Sequence, residues 1–520
     1  MTRLAVLVLV LVAARLLGGH FMSFFQNDEV SLAAGVLTLD QGGIGDVYRY
    51  GPQAGYYRLV WLLMQALGNP RLVPHIMIVL SAIAGALMPV IALFAFPRLL
   101  SRREQWLLAA LLFANPILWM SATYGNSTMP STALAFAAIA WLSREPSRGG
   151  EAAALALYGA AVFMRADTVL AWPAVAAVLY LRHRSVMAAF VRLAAVGATL
   201  AGVYGVMFVA DPWMRGSVTD VTGHLTNRSF DTRFWDYLLW STSPVPLLLA
   251  AIGVREMVAG RRALLAVAAA WALPFFVFYF AATTSPRYFV PSAVPVAIAS
   301  ATGFFALCDL LAPSRLPAYA LALLTGLHLF IGLGNFRPGS PMNVVRQAQF
   351  ETQVGPLWTG ALLYKTYLQP AWLRRSLNHG GFDRHNKVQR GLDSALASVA
   401  AGGLRGRTAA VLLGGWNGHV FHYYARVHGA RYDSAVPGPI YLREQWLELG
   451  GARLMVLARS LPEYEARVSL PLGPGDQAWL LSYGPGDSAA LAAKAPPGLT
   501  LTTLDTTVQL RRYALQTGAP

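Results

Sequence analysis

Two adjacent carboxylates, Asp28 and Glu29, lie in the stretch FFQNDEVSL, directly behind the first long apolar run of the chain. Two roles suit such a pair. Asn27 or Asp28 could cap a helix, with the acids favoured by the dipole of its first turn. A carboxylate partly stripped of water at a membrane interface can instead act as a general base and take a proton from an acceptor hydroxyl. Arginines offer complementary chemistry: Arg165 stands with Asp167 in MRAD, and Arg287 with Tyr288 in SPRYFVP, each set between apolar spans. A guanidinium in that position can grip phosphate oxygens with its planar fork, although Arg165 could equally pair with Asp167. Tyr50 in RYG, Tyr124 in TYGNS and His224 in HLTNRSFDTRFWD add polar groups to the set. For His224 with Asp231, a hydrogen bond within a surface loop is the simpler reading, and Tyr288 suits packing or hydrogen-bond donation. Arg58 and Arg71 are expected to snorkel toward lipid phosphates.

The elements that must position these residues are membrane helices. The chain has 520 residues, of which 56% are hydrophobic and 13% charged, with a mean hydropathy of +0.46. Such a composition is too apolar for an ordinary soluble globule. A single cysteine, Cys308, excludes an intrachain disulfide. No run of Asp, His or Cys has metal-ligand spacing, so no cofactor or metal is expected. The net charge of +16 raises nucleic acid as a partner, and the location of the basic residues removes it.

Apolar runs predict spans at about 4–25, 72–97, 105–121, 127–143, 151–164, 167–181, 186–210, 243–260, 263–282, 288–311 and 316–335, about eleven in all. The N-terminal run is read as a retained helix, because Arg15 interrupts it and many spans follow. With the N-terminus in the cytoplasm, Arg98, Arg102, Arg103, Arg144, Arg148, Arg182, Arg184, Arg255, Arg261, Arg262 and Arg315 all fall on the cytoplasmic side. That agreement requires residues 151–181 to form a short hairpin turning at 165–167, since one long span would invert every later cluster. Residues 55–68 are too short to span and carry Arg58, so they read as an amphipathic helix on the outer surface. The outer side then holds the loop 26–71, the loop 211–242 and everything after 336. From there charges become frequent, and mixed helix and strand patterns between Gly and Pro mark a soluble α/β domain over 336–520. The segment TAAVLLGGWNGHVFHYYARVHGA reads as a strand, a glycine turn and a helix. Its spacing is not that of a dinucleotide fingerprint.

In this order and with this common sidedness, NDE (27–29), FPRLLSRREQW (96–106), VFMRADTVLAWP (162–173) and SPRYFVPSAVP (285–295) resemble the polytopic GT-C glycosyltransferases, which include protein mannosyltransferases and aminoarabinose transferases. The resemblance covers roughly residues 1–335, and a trailing external domain is usual for the family. It implies a mainly α, GT-C-like membrane module at 1–335 with the α/β domain behind it. It also implies a sugar donor on a polyprenyl phosphate and a lipid, glycan or protein acceptor. The reaction would be inverting, at the outer face of the plasma (inner) membrane of the cell envelope. Carried over, Asp28 would be the base, Glu29 would orient the acceptor or its loop, and Arg287 and Arg165 would stabilise the leaving phosphate. Tyr50, Tyr124, Asp167, His224 and Tyr288 would line the pocket. The stretch YGPQAGYYRLVW has one proline, Pro52, where many relatives carry a Pro-Pro-Leu type segment, which leaves the subfamily open.

Three other functions fit a many-helix envelope protein. A transporter or lipid flippase usually places charge at the midplane of repeated halves, whereas here the charges sit at the rims and no repeat is evident. A polymerase or ligase of lipid-linked sugars is expected to carry its large loop between late helices. A non-enzymatic scaffold leaves the acidic pair and the arginines without a role.

Overall fold

The computed structural model describes residues 6–13, 27–41, 50–123, 125–144, 147–215, 217, 238, 242, 244–282, 289–311, 317–324, 326, 391–413, 417–432, 445–458, 472–481, 496–497, 499–506 and 510–517. Twelve helices are followed here through the first part of the chain. They are α1 (Asn27–Gln41), α2 (Ala54–Leu67), α3 (Val73–Ala92), α4 (Arg102–Ala114), α5 (Pro116–Thr123), α6 (Thr128–Leu142), α7 (Arg148–Met164), α8 (Trp172–His183), α9 (Val186–Ala210), α10 (Pro244–Gly260), α11 (Arg262–Ala282) and α12 (Ala293–Leu310). Among the described residues, four helices are long and apolar enough to cross a membrane: Pro70–Ala92, Val186–Ala210, Arg262–Phe280 and Ala293–Leu310.

Local chemistry sets the boundaries. The predicted 105–121 span is divided at Asn115, because Pro116 cannot donate into a continuing helix and the Asn115 carboxamide caps Ile117 and Leu118 at 3.0 and 3.2 Å. The surface helix predicted at 55–68 forms as α2 and stops at Gly68, whose φ of 65° suits glycine and lets its N–H close on the Met64 carbonyl. Ser101 and Glu104 build a capping box at the start of α4.

The hairpin expected at 165–167 is present. Arg165 leaves the helix with an extended backbone (φ −158°, ψ 113°), a 3₁₀ turn covers Ala166–Ala171, and α8 returns alongside. Its far end closes on the start of α7, where Glu151 takes Arg182 at 2.8 Å, His183 at 2.9 Å, and Arg192 from α9.

This pairing shows that the bundle has two chemically distinct ends. At one end lie Glu151 with its three cations, the Glu104–Arg261 ion pair, Arg102 donating to the Leu93 carbonyl at 2.6 Å, and Arg144 over the Phe94 ring. At the other lie the turns around residues 50–53, 125–127, 165–167 and 211–217. The sequence reading of the basic turns as sharing one side agrees with this arrangement.

The last part of the chain holds a seven-stranded mixed sheet. Its strands are β1 (Thr408–Leu413), β2 (Arg431–Tyr432), β3 (Gln445–Leu449), β4 (Ala452–Ala458), β5 (Gln477–Leu481), β6 (Leu499–Thr506) and β7 (Leu510–Thr517), in the order β2-β3-β4-β1-β5-β7-β6. Strand β1 runs parallel to β4 and β5, and the other pairs are antiparallel. Both faces are apolar, as sheets buried on two sides require. Ala409, Val411, Leu454 and Val456 face helix α13 (Asn417–Val427), and Ala410, Leu412, Met455 and Leu457 face the opposite way. One apolar core joins this domain to the first loop: Leu32, Ala33, Val36 and Leu37 of α1 and Tyr56, Tyr57 and Val60 of α2 are buried in the same cluster as Leu392, Leu396, Phe421 and Ala425.

Candidate active site

At the end of the bundle opposite the basic turns, five polar side chains from four parts of the chain meet. Ser127 stands just before α6, and its backbone is fixed by Asn126, which exchanges hydrogen bonds with Ser81 of α3 at 3.2 and 3.3 Å. Gly125 is required next to it, since a Cβ would fall 2.5 Å from Met77. The Ser127 hydroxyl donates to the Gln53 side-chain carbonyl. Arg165 reaches Ser127 Oγ with Nη1 at 3.4 Å and holds Asp167 Oδ2 with Nε at 2.9 Å and Nη2 at 2.8 Å. Tyr279, near the end of α11, donates to the same Asp167 oxygen at 3.2 Å. Arg165 and Asp167 are only 14% and 16% exposed. At that burial the pair is held by geometry as well as charge. Between the two readings open for Asp167, the structure shows the ion pair with Arg165.

Tyr50 sits at the other end of the turn that carries Gln53. Its hydroxyl donates to Asp211 Oδ2 at 2.7 Å, and Arg58 joins through Nε to the Tyr50 oxygen at 2.8 Å and Nη2 to Asp211 at 2.6 Å. Burial, reinforced by the bond to Asp211, pushes the Tyr50 hydroxyl well above its ordinary pKa, so it remains a donor. Asp211 also accepts the Trp213 N–H at 2.9 Å, just past the end of α9. Next along the chain, the Gly51 N–H donates to Ser217 Oγ at 2.7 Å.

Two arginines expected to snorkel have carboxylate partners. Arg58 lies within ion-pair distance of Asp211. Arg71 is bound to Asp393 of the last domain at 3.2 Å, where His428 also meets Asp393 at 2.6 Å. Each arginine is paired with a carboxylate far along the chain, Arg71 at an exposed site.

Asp28 and Glu29 lie in the first turn of α1, where the helix dipole favours acids; their side chains fall outside the described residues. Tyr124, His224, Asp231, Arg287 and Tyr288 also lie outside them. The site residues that the sequence reading did not single out are Gln53, Ser127, Asp211, Ser217 and Tyr279. Asp211 had a usable signal, a carboxylate directly behind the apolar run 186–210, the same pattern that marks Asp28. Tyr279 had none, because one tyrosine in an aromatic-rich helix is ordinary packing material. Among the described residues, no three His, Cys, Asp or Glu side chains are grouped to hold a metal ion.

No protein family matches the sequence, and no curated protein does. Solved structures do. ArnT from Cupriavidus metallidurans bound to undecaprenyl phosphate aligns at a TM-score of 0.57 and 14% identity, covering 98% of this chain and 97% of that one. The same protein in its apo state gives 0.57 and 15% over the same coverage. The Archaeoglobus fulgidus oligosaccharyltransferase tethered with an acceptor peptide gives 0.44 and 12%, covering 81% of this chain and 63% of that one. The near-complete mutual coverage with ArnT spans both the helical bundle and the trailing domain, and it shows that the chain has the fold of ArnT.

Proposed function

We propose that the protein is an inverting membrane glycosyltransferase that moves a sugar from a polyprenyl-phosphate donor to an acceptor hydroxyl at the external membrane face. The observation that carries this reading is the Gln53–Ser127–Arg165–Asp167–Tyr279 cluster, held at the bundle end away from the basic turns in a fold shared along its length with ArnT. Positive residues collect on cytoplasmic turns, so that end is assigned outside. The N-terminus is then cytoplasmic and the last domain extracytoplasmic, in the plasma (inner) membrane. Lipid-linked sugars are met at that face.

In the proposed reaction Asp28 takes the proton of the acceptor hydroxyl, and the oxygen attacks the anomeric carbon. The bond from that carbon to the phosphate oxygen breaks on the opposite face, and polyprenyl phosphate departs with the electron pair. Configuration inverts. Arg287 and Arg165 stabilise the charge that builds on the leaving phosphate. For Arg165, Asp167 fixes Nε and Nη2, and a donor phosphate would engage Nη1 beside the Ser127 hydroxyl, which keeps the guanidinium in place. Glu29 orients the acceptor, and Tyr50, Tyr124, Asp167, His224 and Tyr288 belong to the pocket wall. The reading includes no metal; the acceptor is a lipid, a glycan or a protein.

The test is transfer by purified protein from a panel of polyprenyl-phosphate sugars. Wild type is expected to turn over with at least one donor, and Asp28→Asn to lose about 10²- to 10⁴-fold in rate. An Asp28→Asn protein as fast as wild type removes the base assignment. Movement of the lipid across vesicles with no glycosidic product replaces transfer with transport.

A further inference from the structure

The turn that carries Gln53 is held from two directions. On one side Gln53 meets Ser127, which is also contacted by Arg165. On the other, Tyr50 and Arg58 both converge on one oxygen of Asp211, while the second oxygen of that carboxylate takes the Trp213 N–H. Tyr50 is 3% exposed and Asp211 8%, so little water competes for these bonds. The intervening residues have little slack: Gly51 donates to Ser217, and a Cβ there would lie 2.7 Å from the Ser217 oxygen. Pro52 fixes the following φ. The segment 50–53 is therefore a short rigid strut between the end of α9 and the Arg165–Asp167 pair.

We propose that Asp211 is a positioning residue: acting through Tyr50 and Arg58, it sets the 50–53 turn so that Gln53 fixes the Ser127 hydroxyl against which Arg165 is aimed. This rests on the proposed glycosyl transfer for its effect on rate, but not for the mechanical coupling itself. Asp211 touches neither Arg165 nor Ser127 and need not meet substrate. Its influence runs from the Asp211 carboxylate to the Tyr50 hydroxyl, through the strut to the Gln53 carboxamide, and then by the Ser127 hydroxyl to the Arg165 guanidinium. A misplacement of less than an ångström at a charge-stabilising group is enough to cost one to two orders of magnitude in rate.

Two variants test it. Tyr50→Phe removes the hydroxyl and keeps the buried ring, and Asp211→Asn keeps one acceptor oxygen, enough for Tyr50 or Trp213 but not both, and loses the charge facing Arg58. Amide hydrogen exchange is read at Gly51, Arg165 and Thr168, whose N–H groups bond to Ser217, Ala161 and Arg165. Each variant is expected to speed exchange at Gly51 and also at Arg165 and Thr168. Faster exchange confined to Gly51 overturns the relay, whether or not any sugar is transferred. In the transfer assay, kcat should fall about tenfold with donor KM within about twofold. The double variant Tyr50→Phe with Ser127→Ala should be no slower than Ser127→Ala alone. Multiplying losses would mean the two act independently, and an unchanged kcat in active protein would show that the strut does not serve catalysis. A wild type that transfers nothing overturns the proposed function, and the exchange data still decide the coupling.

Discussion

Glu151 illustrates how much one buried carboxylate can organise. It sits in the first turn of α7 and is shared by Arg182, His183 and Arg192, which fastens α7, α8 and α9 at the basic end. Removing its charge leaves the two arginines facing each other in a site where Glu151 is 9% exposed and Arg182 15%. Breaking a buried pair from one side costs about 3–5 kcal/mol, and the partial exposure of Arg192 reduces that. Glu151→Gln is therefore expected to lose about 2–4 kcal/mol of stability in thermal unfolding of the detergent-solubilised protein. A loss below about 0.5 kcal/mol would mean the cations find other partners. At this scale the sequence is readable where partners are near. Arg165 and Asp167 are two residues apart and their pairing is visible as one of two readings, whereas Arg58 and Asp211 are separated by 153 positions and Arg71 and Asp393 by 322. Nothing local to either arginine announces a carboxylate so far along the chain.

Between elements, the tightest approach is the crossing of α10 and α12. A Cβ on Gly303 would lie 1.9 Å from the Leu249 carbonyl, and one on Gly253 would lie 1.9 Å from the Ala299 carbonyl, so each helix backbone rests directly on the other. Small residues allow this in membrane helices, where close packing substitutes for a hydrophobic driving force. Gly303→Ala must push the two helices apart. It is expected to destabilise the protein by about 1–3 kcal/mol, read as a lower Tm, and an unchanged Tm would show that the crossing relaxes freely. Helices and their order were legible because hydropathy and basic turns act over short stretches of chain. The 165–167 hairpin followed from the parity of those turns alone. The sheet was legible in part: β1 with its following helix follows from local pattern. The placement of β1 between β4 and β5 depends on long-range pairing that period-two alternation does not encode.

For the molecule as a whole, polarity between the two bundle ends makes a directional prediction. With Cys308 replaced by Ser, Val169→Cys reports on the site end and Gly149→Cys on the basic end, both at exposed positions. In sealed right-side-out vesicles an impermeant maleimide is expected to label Val169→Cys and to spare Gly149→Cys until the membrane is opened. The opposite pattern would turn the protein over and move the proposed chemistry to the cytoplasm. The meeting of the turns at Tyr50, Ser127 and Arg165 at one end of the bundle was readable from the sequence, since it follows from span parity. The site's internal wiring through Gln53 and Tyr279 was not, because those contacts depend on how helices rotate against each other.

The apolar core that joins α1 and α2 to the last domain has a consequence for how the protein is made. Leu32 shares that core with Phe421, roughly 390 residues later in the chain. At a synthesis rate of about 5–20 residues per second, the first loop waits roughly 20 to 80 seconds for the residues that complete its packing. During that interval Leu32, Ala33, Val36 and Leu37 lack part of their final cover, beside a membrane that can shelter them. The later domain thus completes packing that the earlier loop begins, and α1 gains its full apolar cover only once that domain has been made.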